Sequence, residues 1–168
     1  MILTRFLFRS AILNPSYETV DFLGGITNWV PDNILNGVTR DTSLTPVDGT
    51  YIGRFADNGG DTLYTLYQNS VPVCPSTSYT VTVYVAVKNV PTTRAQICID
   101  TGYTLCGTAV TTLSTTAFTA ISYTFTTGSS QTTLSRLSVR CTGGPVGLTG
   151  TPPVPVYYLD NWTLIVNP

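Results

Sequence analysis

The chain consists largely of short runs in which apolar and polar residues alternate, separated by turn-forming residues. The clearest run spans residues 79–88, where tyrosine or valine stands at every odd position from Tyr79 to Val87. A period of two places successive side chains on opposite faces of a strand, so one face of this run is predicted to be core. Residues 121–126 and 137–141 repeat the pattern. Many such strands predict an all-β fold, an antiparallel β-sandwich or jelly roll.

Length and composition favour one folded domain. The chain has 168 residues, 42% of them hydrophobic and only 10% charged, with a net charge of −1. A chain this apolar is not disordered, and the absence of a basic stripe argues against nucleic-acid binding. No apolar run reaches the ~20 residues of a membrane-spanning helix. We predict a single domain at residues 13–168, preceded at 1–12 by an apolar arm or an extra edge strand. Arg9 interrupts the apolar start, which argues against a signal peptide.

The chain contains no histidine. This excludes a Ser-His-Asp triad, a Cys-His pair and every histidine-ligated metal site. The aspartates stand mostly in turn-like contexts, as at 31–33, 47–49 and 56–59, where they usually make local hydrogen bonds. We therefore predict that the protein is not an enzyme.

Two carboxylates stand near the two ends of the chain. Glu18 is the only glutamate, and Asp160 lies within the apolar closing segment 156–164. An unpaired charge among apolar residues is costly, so a partner for each carboxylate is expected. A cation held between the first and last strands would satisfy both.

The four cysteines are even in number and allow three disulfide pairings. Cys98 and Cys106 flank a predicted hairpin tip and are expected to face each other. Cys74 and Cys141 would then form a second bridge. The alternative is that some of the four are small buried side chains. Their spacing is not that of paired metal-binding knuckles.

Several segments, in order, resemble carbohydrate-binding modules of families four, nine and twenty-two. Residues 14–18 read NPSYE and are followed by Trp29; residues 118–127 read FTAISYTFTT, and residues 158–161 read YLDN. The resemblance implies a galactose-binding-like jelly roll that carries a structural Ca²⁺ between its first and last strands. Carried over by position, the ligands are the side chains of Glu18 and Asp160 with backbone oxygens near Asp48 and Thr50.

Ca²⁺ takes 6–8 oxygen ligands, which such a set would begin to supply. The alternative is that Glu18 accepts hydrogen bonds from backbone amides or pairs with an arginine.

The same resemblance implies a glycan ligand. Sugars are bound by aromatic side chains together with amides and acids. The candidates are Tyr64, Tyr67, Tyr84, Tyr103, Gln68 and Gln96, with Asp57 and Asn58 beside them. Each tyrosine has an alternative role in core or cross-strand packing. Trp29 and Trp162 are predicted to pack in the core.

The chain also resembles small virion proteins of phages that infect actinobacteria. This implies a decoration or minor tail protein on the virion surface, attached to capsid or tail proteins through residues 1–9, with cell-surface glycans and a second copy of itself as further partners. The alternative is a glycan-binding module of a secreted polysaccharide-degrading enzyme.

Overall fold

The part of the chain that the structure describes contains nine strands. The computed structural model describes residues 11–20, 26–32, 38–56, 63–88, 94–142 and 156–168, without the side chains of residues 63, 64 and 142. The strands are β1 (Val30–Pro31), β2 (Val38–Asp41), β3 (Ile52–Ala56), β4 (Leu63–Pro72), β5 (Ser78–Lys88), β6 (Arg94–Cys98), β7 (Thr119–Thr126), β8 (Thr133–Thr142) and β9 (Val156–Val166). None of the described residues is helical, and no helix capable of crossing a membrane is found among them.

The strands form two antiparallel sheets, as the alternating pattern predicts. One sheet has the order β1-β4-β8-β6 and the other β2-β3-β9-β5-β7. Among the described strands, neighbours in a sheet other than β2 and β3 are not consecutive in the sequence, as in a jelly roll. The core lies between the two sheets, and each sheet also has an outer face.

Strand β5 shows how the sequence sets the two faces. Tyr79, Val81, Val83, Val85 and Val87 are all buried in the core. Their polar neighbours point outward, where threonine hydroxyls pair with those of β7, for example Thr80 with Thr124 at 2.9 Å. The predicted alternation of residues 79–88 is confirmed.

Strand β9 contains an irregularity that the sequence pattern does not predict. Its pairing with β5 shifts between Thr82 and Tyr84, and Asn161 has a positive φ of 45°. A bulge of this kind adds a residue and reverses the inward and outward positions that follow it. Leu159 therefore points inward before the bulge and Trp162 points inward after it, while Asp160 lies on the outer side.

The segment around residues 14–18 is not the predicted first strand. Its described residues form turns, with positive φ at Asn14 (50°) and Tyr17 (59°). The Asn14 side chain explains this conformation, since it donates to the carbonyls of Thr19 and Thr27 and accepts from the Thr19 amide. Because these hydrogen bonds are local, they compete with strand pairing.

The two tryptophans join this turn segment to the last strand. Trp29 stacks on Trp162 with ring centroids 4.7 Å apart, and Tyr17 lies 5.6 Å from Trp29. The indole of Trp162 donates to the Tyr17 hydroxyl at 2.7 Å, and that of Trp29 donates to the Asn14 carbonyl at 2.9 Å. The prediction that both tryptophans pack in the core is confirmed.

The core of the domain includes residues as early in the chain as Ile12. This side chain is buried in the core, and the backbone of Leu13 hydrogen bonds to Gln68. The predicted arm at 1–12 therefore overlaps the core at its last residue. Residues 1–10 lie outside the described part of the chain.

The edge of β6 that faces away from β8 is paired with the segment that follows it. Residues 105–110 fold back along this strand, and Ala95 and Val110 exchange two backbone hydrogen bonds. Gly107 donates to the Ile97 carbonyl, and Cys98 pairs with Cys106. The predicted hairpin is therefore present, closed by the Cys98–Cys106 disulfide.

The second predicted disulfide is wrong, because Cys74 and Cys141 are free thiols. Cys141 pairs in register with Tyr64 at one end of β4, whereas Cys74 follows the other end of that strand. Ten residues of extended chain separate these positions by roughly 30 Å, while a disulfide needs Cα atoms within about 7 Å. Burial raises the pKa of Cys141, so its thiol stays protonated and serves as a core side chain.

Candidate functional site

The outer face of the β1-β4-β8-β6 sheet carries a group of polar and aromatic side chains that are joined by hydrogen bonds and ring contacts. The inward positions of β8 are Leu137, Val139 and Cys141, so the residues between them point outward. The outward polar and aromatic residues of β4, β6 and β8 include Thr65, Tyr67, Asn69, Arg94, Gln96, Arg136, Ser138 and Arg140. We call this set, with Asp32 and Tyr103, the tyrosine-arginine face.

Arg136 is the centre of this face. Its guanidinium lies 3.8 Å from the centroid of the Tyr67 ring and donates to Asp32 Oδ1 at 3.1 Å. It also donates to the Tyr103 hydroxyl at 2.8 Å. That hydroxyl in turn donates to the second oxygen of Asp32. Residues from β4, from β8, from the chain after β1 and from the loop after β6 are thus joined in one network.

Tyr103 reaches the face because its loop is held at several points. The loop is closed by the Cys98–Cys106 disulfide, and Asp100 accepts from the amides of Thr104 and Leu105. Burial raises the pKa of Tyr103, and its hydrogen bond to Asp32 raises it further. The phenol therefore remains a hydrogen-bond donor at neutral pH.

Arg140 lies beside this network without joining it. Its guanidinium is 4.8 Å from the centroid of the Tyr103 ring. Its Nε is buried and has no hydrogen-bond partner among the described residues, and the same is true of the Nε of Arg136. These two buried N–H groups are therefore not compensated by the described protein groups.

The sequence-predicted sugar-binding residues do not form a single cluster. Tyr67, Tyr103 and Gln96 lie on the tyrosine-arginine face. The backbone of Tyr64 belongs to β4, and its side chain lies outside the described part, as do Asp57 and Asn58.

The prediction for Gln68 is wrong. Gln68 is only 4% exposed, and its amide both donates to the Leu13 carbonyl and accepts from the Leu13 amide. It points inward beside Leu137 and serves to attach the start of the domain.

Tyr84 lies on the other sheet. It points outward from β5 into a shallow cavity of about 320 Å³, whose other walls include Leu44, Val47, Thr116 and Phe118. This cavity is separated from the tyrosine-arginine face by the whole core. A single small ligand therefore contacts one of the two faces but not both.

Glu18 and Asp160, the two carboxylates near the ends of the chain, are bound to the same turn. Glu18 Oε1 accepts from the amides of Thr50 and Tyr51 at 2.7 and 2.9 Å. Gly49 lies against this carboxylate with a φ of +72°, and a side chain at position 49 would collide with it. Only glycine meets both requirements without strain.

Asp160 accepts hydrogen bonds from the other side of this turn. Its Oδ2 accepts from the amides of Val47 and Asp48 at 2.6 and 3.1 Å, and its Oδ1 accepts from the amide of Asn161 at 2.8 Å. Asp160 is fully buried, and burial raises its pKa while the three amides partly offset that effect. Asp48 accepts from the Ser16 hydroxyl at 2.7 Å.

These residues do not fit the predicted Ca²⁺ site. Glu18 Oε1 and both oxygens of Asp160 face amide N–H groups, whose positive ends would repel a cation at the same place. No three Asp, Glu, Cys or His residues of the described part converge as metal ligands. The alternative stated above, that Glu18 accepts from backbone amides, describes the geometry of Glu18 and of Asp160 as well.

We expect an excess of chelator to leave the melting temperature of the protein unchanged, because Glu18 Oε1 and both oxygens of Asp160 already accept hydrogen bonds from amides. Differential scanning fluorimetry with and without EDTA, followed by added Ca²⁺, measures this. A fall with EDTA that Ca²⁺ reverses would restore the calcium prediction.

Sequence reasoning missed Asp32, Arg136 and Arg140. The sequence shows no basic stripe, and the context of Asp32 at 31–33 is typical of a turn. A signal was present, since Arg136 and Arg140 stand at even positions on a strand whose odd positions 137, 139 and 141 face inward. Nothing local brings Asp32 to them, because the ion pair joins residues that are 104 positions apart.

Comparison with known proteins shows the fold. No family model and no curated protein matches the sequence. A family 16 carbohydrate-binding module superposes with a TM-score of 0.58 and 18% identity, over 92% of this chain and 99% of that one. Modules of families 4, 61 and 22 have similar folds. The chain has the fold of carbohydrate-binding modules.

Two proteins of other kinds share this fold. A cyclase from Fischerella sp. TAU, solved with an indole compound, superposes with a TM-score of 0.59 and 16% identity, over 94% of this chain and 96% of that one. The enzymatically active domain of tailspike protein 4 of bacteriophage CBA120 gives 0.58 and 14%, over 94% of this chain. This chain spans 21% of that tailspike chain. At these identities the likeness concerns the fold alone.

Proposed function

We propose that the protein is a non-catalytic glycan-binding protein whose ligand lies on the tyrosine-arginine face. The observation that carries this proposal is the network joining Tyr103, Asp32 and Arg136 beside Tyr67. It places two phenol rings, a carboxylate and guanidinium donors on one outer sheet face. Sugar hydroxyls need donors and acceptors of this kind, and sugar C–H groups pack on aromatic side chains. The similar folds of glycan-binding modules support the proposal, one of them solved with β-1,4-galactotriose.

We propose that the protein is located on the virion surface. The sequence resemblance to phage virion proteins and the shared fold with a tailspike domain support it. Attachment through residues 1–9 to capsid or tail proteins, and self-association, are parts of the same proposal. A secreted module is the alternative, and the neighbouring genes distinguish the two.

We expect Tyr67→Ala and Tyr103→Ala each to weaken glycan binding about tenfold or more. Each change removes a ring from the face and releases a guanidinium that the ring holds in place. Affinity electrophoresis through a panel of embedded polysaccharides identifies a ligand, and titration calorimetry then measures the dissociation constant of each variant.

Tyr84→Ala is the matched control, because it removes the same side chain from the opposite sheet. We expect it to leave binding unchanged. Loss of binding in Tyr84→Ala alone would move the site to the other sheet. No retardation by any polysaccharide would remove the glycan-binding proposal.

A further inference from the structure

The charges on the tyrosine-arginine face are unbalanced. Arg94, Arg136 and Arg140 all point outward from β6 and β8, while Asp32 is the only described carboxylate in contact with them. The whole chain, by contrast, has a net charge of −1. With three cations and one contacting carboxylate among the described residues, this face carries an excess of positive charge.

The described carboxylates other than Asp32 are engaged elsewhere. Glu18 and Asp160 accept amide hydrogen bonds from the 47–51 turn, and Asp48 accepts from Ser16. Asp41 pairs with Arg54, and Asp100 caps its own loop. No described carboxylate is therefore available to neutralise Arg140.

The environment of Arg140 makes this lack of a partner informative. Its side chain is partly buried, its Nε has no described partner, and the ring of Tyr103 lies 4.8 Å from its guanidinium. A guanidinium held against a ring loses side-chain freedom and part of its hydration. Its planar set of donors matches a carboxylate, sulfate or phosphate group in two parallel hydrogen bonds.

The stacking also limits what a neutral sugar would gain here. Arg136 covers one face of Tyr67 at 3.8 Å, and both arginines lie near the Tyr103 ring. A ring face covered by a guanidinium is not open for stacking on a pyranose, so sugar C–H groups can pack only on the uncovered parts of these rings. The site offers charged donors more readily than bare aromatic surface.

We propose that the tyrosine-arginine face binds a saccharide that carries an oxyanion, and that Arg140 is the residue that pairs with this oxyanion. The proposal rests on the proposed function and gives the chemical class of its ligand. Asp32, already bonded to Tyr103 and Arg136, keeps those two groups in place. Arg140 supplies the unpaired charge.

Pairs of polymers that share their sugar units and differ in charge distinguish the effect of charge on binding from the effect of sugar identity. Polygalacturonate is compared with its fully methyl-esterified form, in which a neutral ester replaces each carboxylate, and κ-carrageenan with its desulfated form for the sulfate case. We expect one anionic polymer to bind at least tenfold more tightly than its neutral counterpart, with an affinity that falls as salt is raised. The carboxylate and sulfate arms show which oxyanion is preferred.

Arg140→Gln is expected to abolish this preference, bringing the affinity for the anionic polymer to that for the neutral one. Arg140→Lys keeps the charge without the planar donor set and should retain part of the preference. Arg54→Gln, the same change on the opposite sheet, is the control and should retain all of it. Circular dichroism and the melting temperature of each variant show whether it is folded.

Equal binding of charged and neutral polymers would overturn the oxyanion proposal and leave the glycan-binding proposal intact. An anion preference that survives in folded Arg140→Gln would overturn the role of Arg140. Absence of binding to every polymer would overturn both proposals.

Discussion

Replacing Trp162 by alanine is expected to lower the free energy of unfolding by about 4 kcal/mol. The side chain is 1% exposed and stacks on Trp29, so its removal leaves a large cavity that the rigid sheets cannot fill. The buried hydroxyl of Tyr17 also loses the indole N–H at 2.7 Å as its hydrogen-bond partner. Urea unfolding followed by far-ultraviolet circular dichroism measures the change.

Ile165→Ala on the same strand is the control for this prediction. Ile165 is 59% exposed, so its truncation should cost less than about 1 kcal/mol. A loss in Trp162→Ala no greater than that in Ile165→Ala would show that the turn segment and the last strand are not joined through the tryptophans.

Asp160→Ala is expected to lower the free energy of unfolding by about 3 kcal/mol. The change leaves the amides of Val47, Asp48 and Asn161 without their acceptor. The raised pKa of Asp160 indicates that burial of its charge is itself unfavourable. Removing that charge recovers part of the loss, so the effect is smaller than three full unsatisfied amides would give. The same urea experiment measures it.

Asp48→Ala distinguishes the buried carboxylate from its exposed neighbour. Asp48 lies on the surface and accepts one hydrogen bond from Ser16, so its loss should cost at most about 1 kcal/mol. Equal effects of the two substitutions would argue that Asp160 does not hold the turn.

The sequence predicted the sheets well because strand alternation is a local property. The inward residues of β5 and β7, and those of β8 from Leu137 onward, follow directly from a period of two. The bulge at Asn161 could not be predicted in this way, because it depends on where Asp160 and Trp162 must both point. The turn at residues 14–18 was also missed, since the hydrogen bonds of the Asn14 side chain replace strand pairing there.

The candidate site was predicted only in part. Tyr67, Tyr103 and Gln96 reach the predicted kind of surface, while Gln68 faces the core and Tyr84 faces the opposite side. The inward or outward direction of a residue on β4 depends on its register with β8, which the sequence alone does not give. The carboxylates at 18 and 160 were correctly expected to have partners, but those partners are backbone amides that no residue pattern reveals.

The fold-back of residues 105–110 along β6 has a consequence for the behaviour of the protein at high concentration. A bare strand edge offers a row of unused amides and carbonyls to which another chain can add, leading to aggregation. Along β6 these groups are paired with Leu105, Gly107 and Val110 of the same chain. This side of the sheet is therefore closed to intermolecular strand addition. The disulfide that positions Tyr103 fixes the same fold-back, so it contributes to colloidal stability as well.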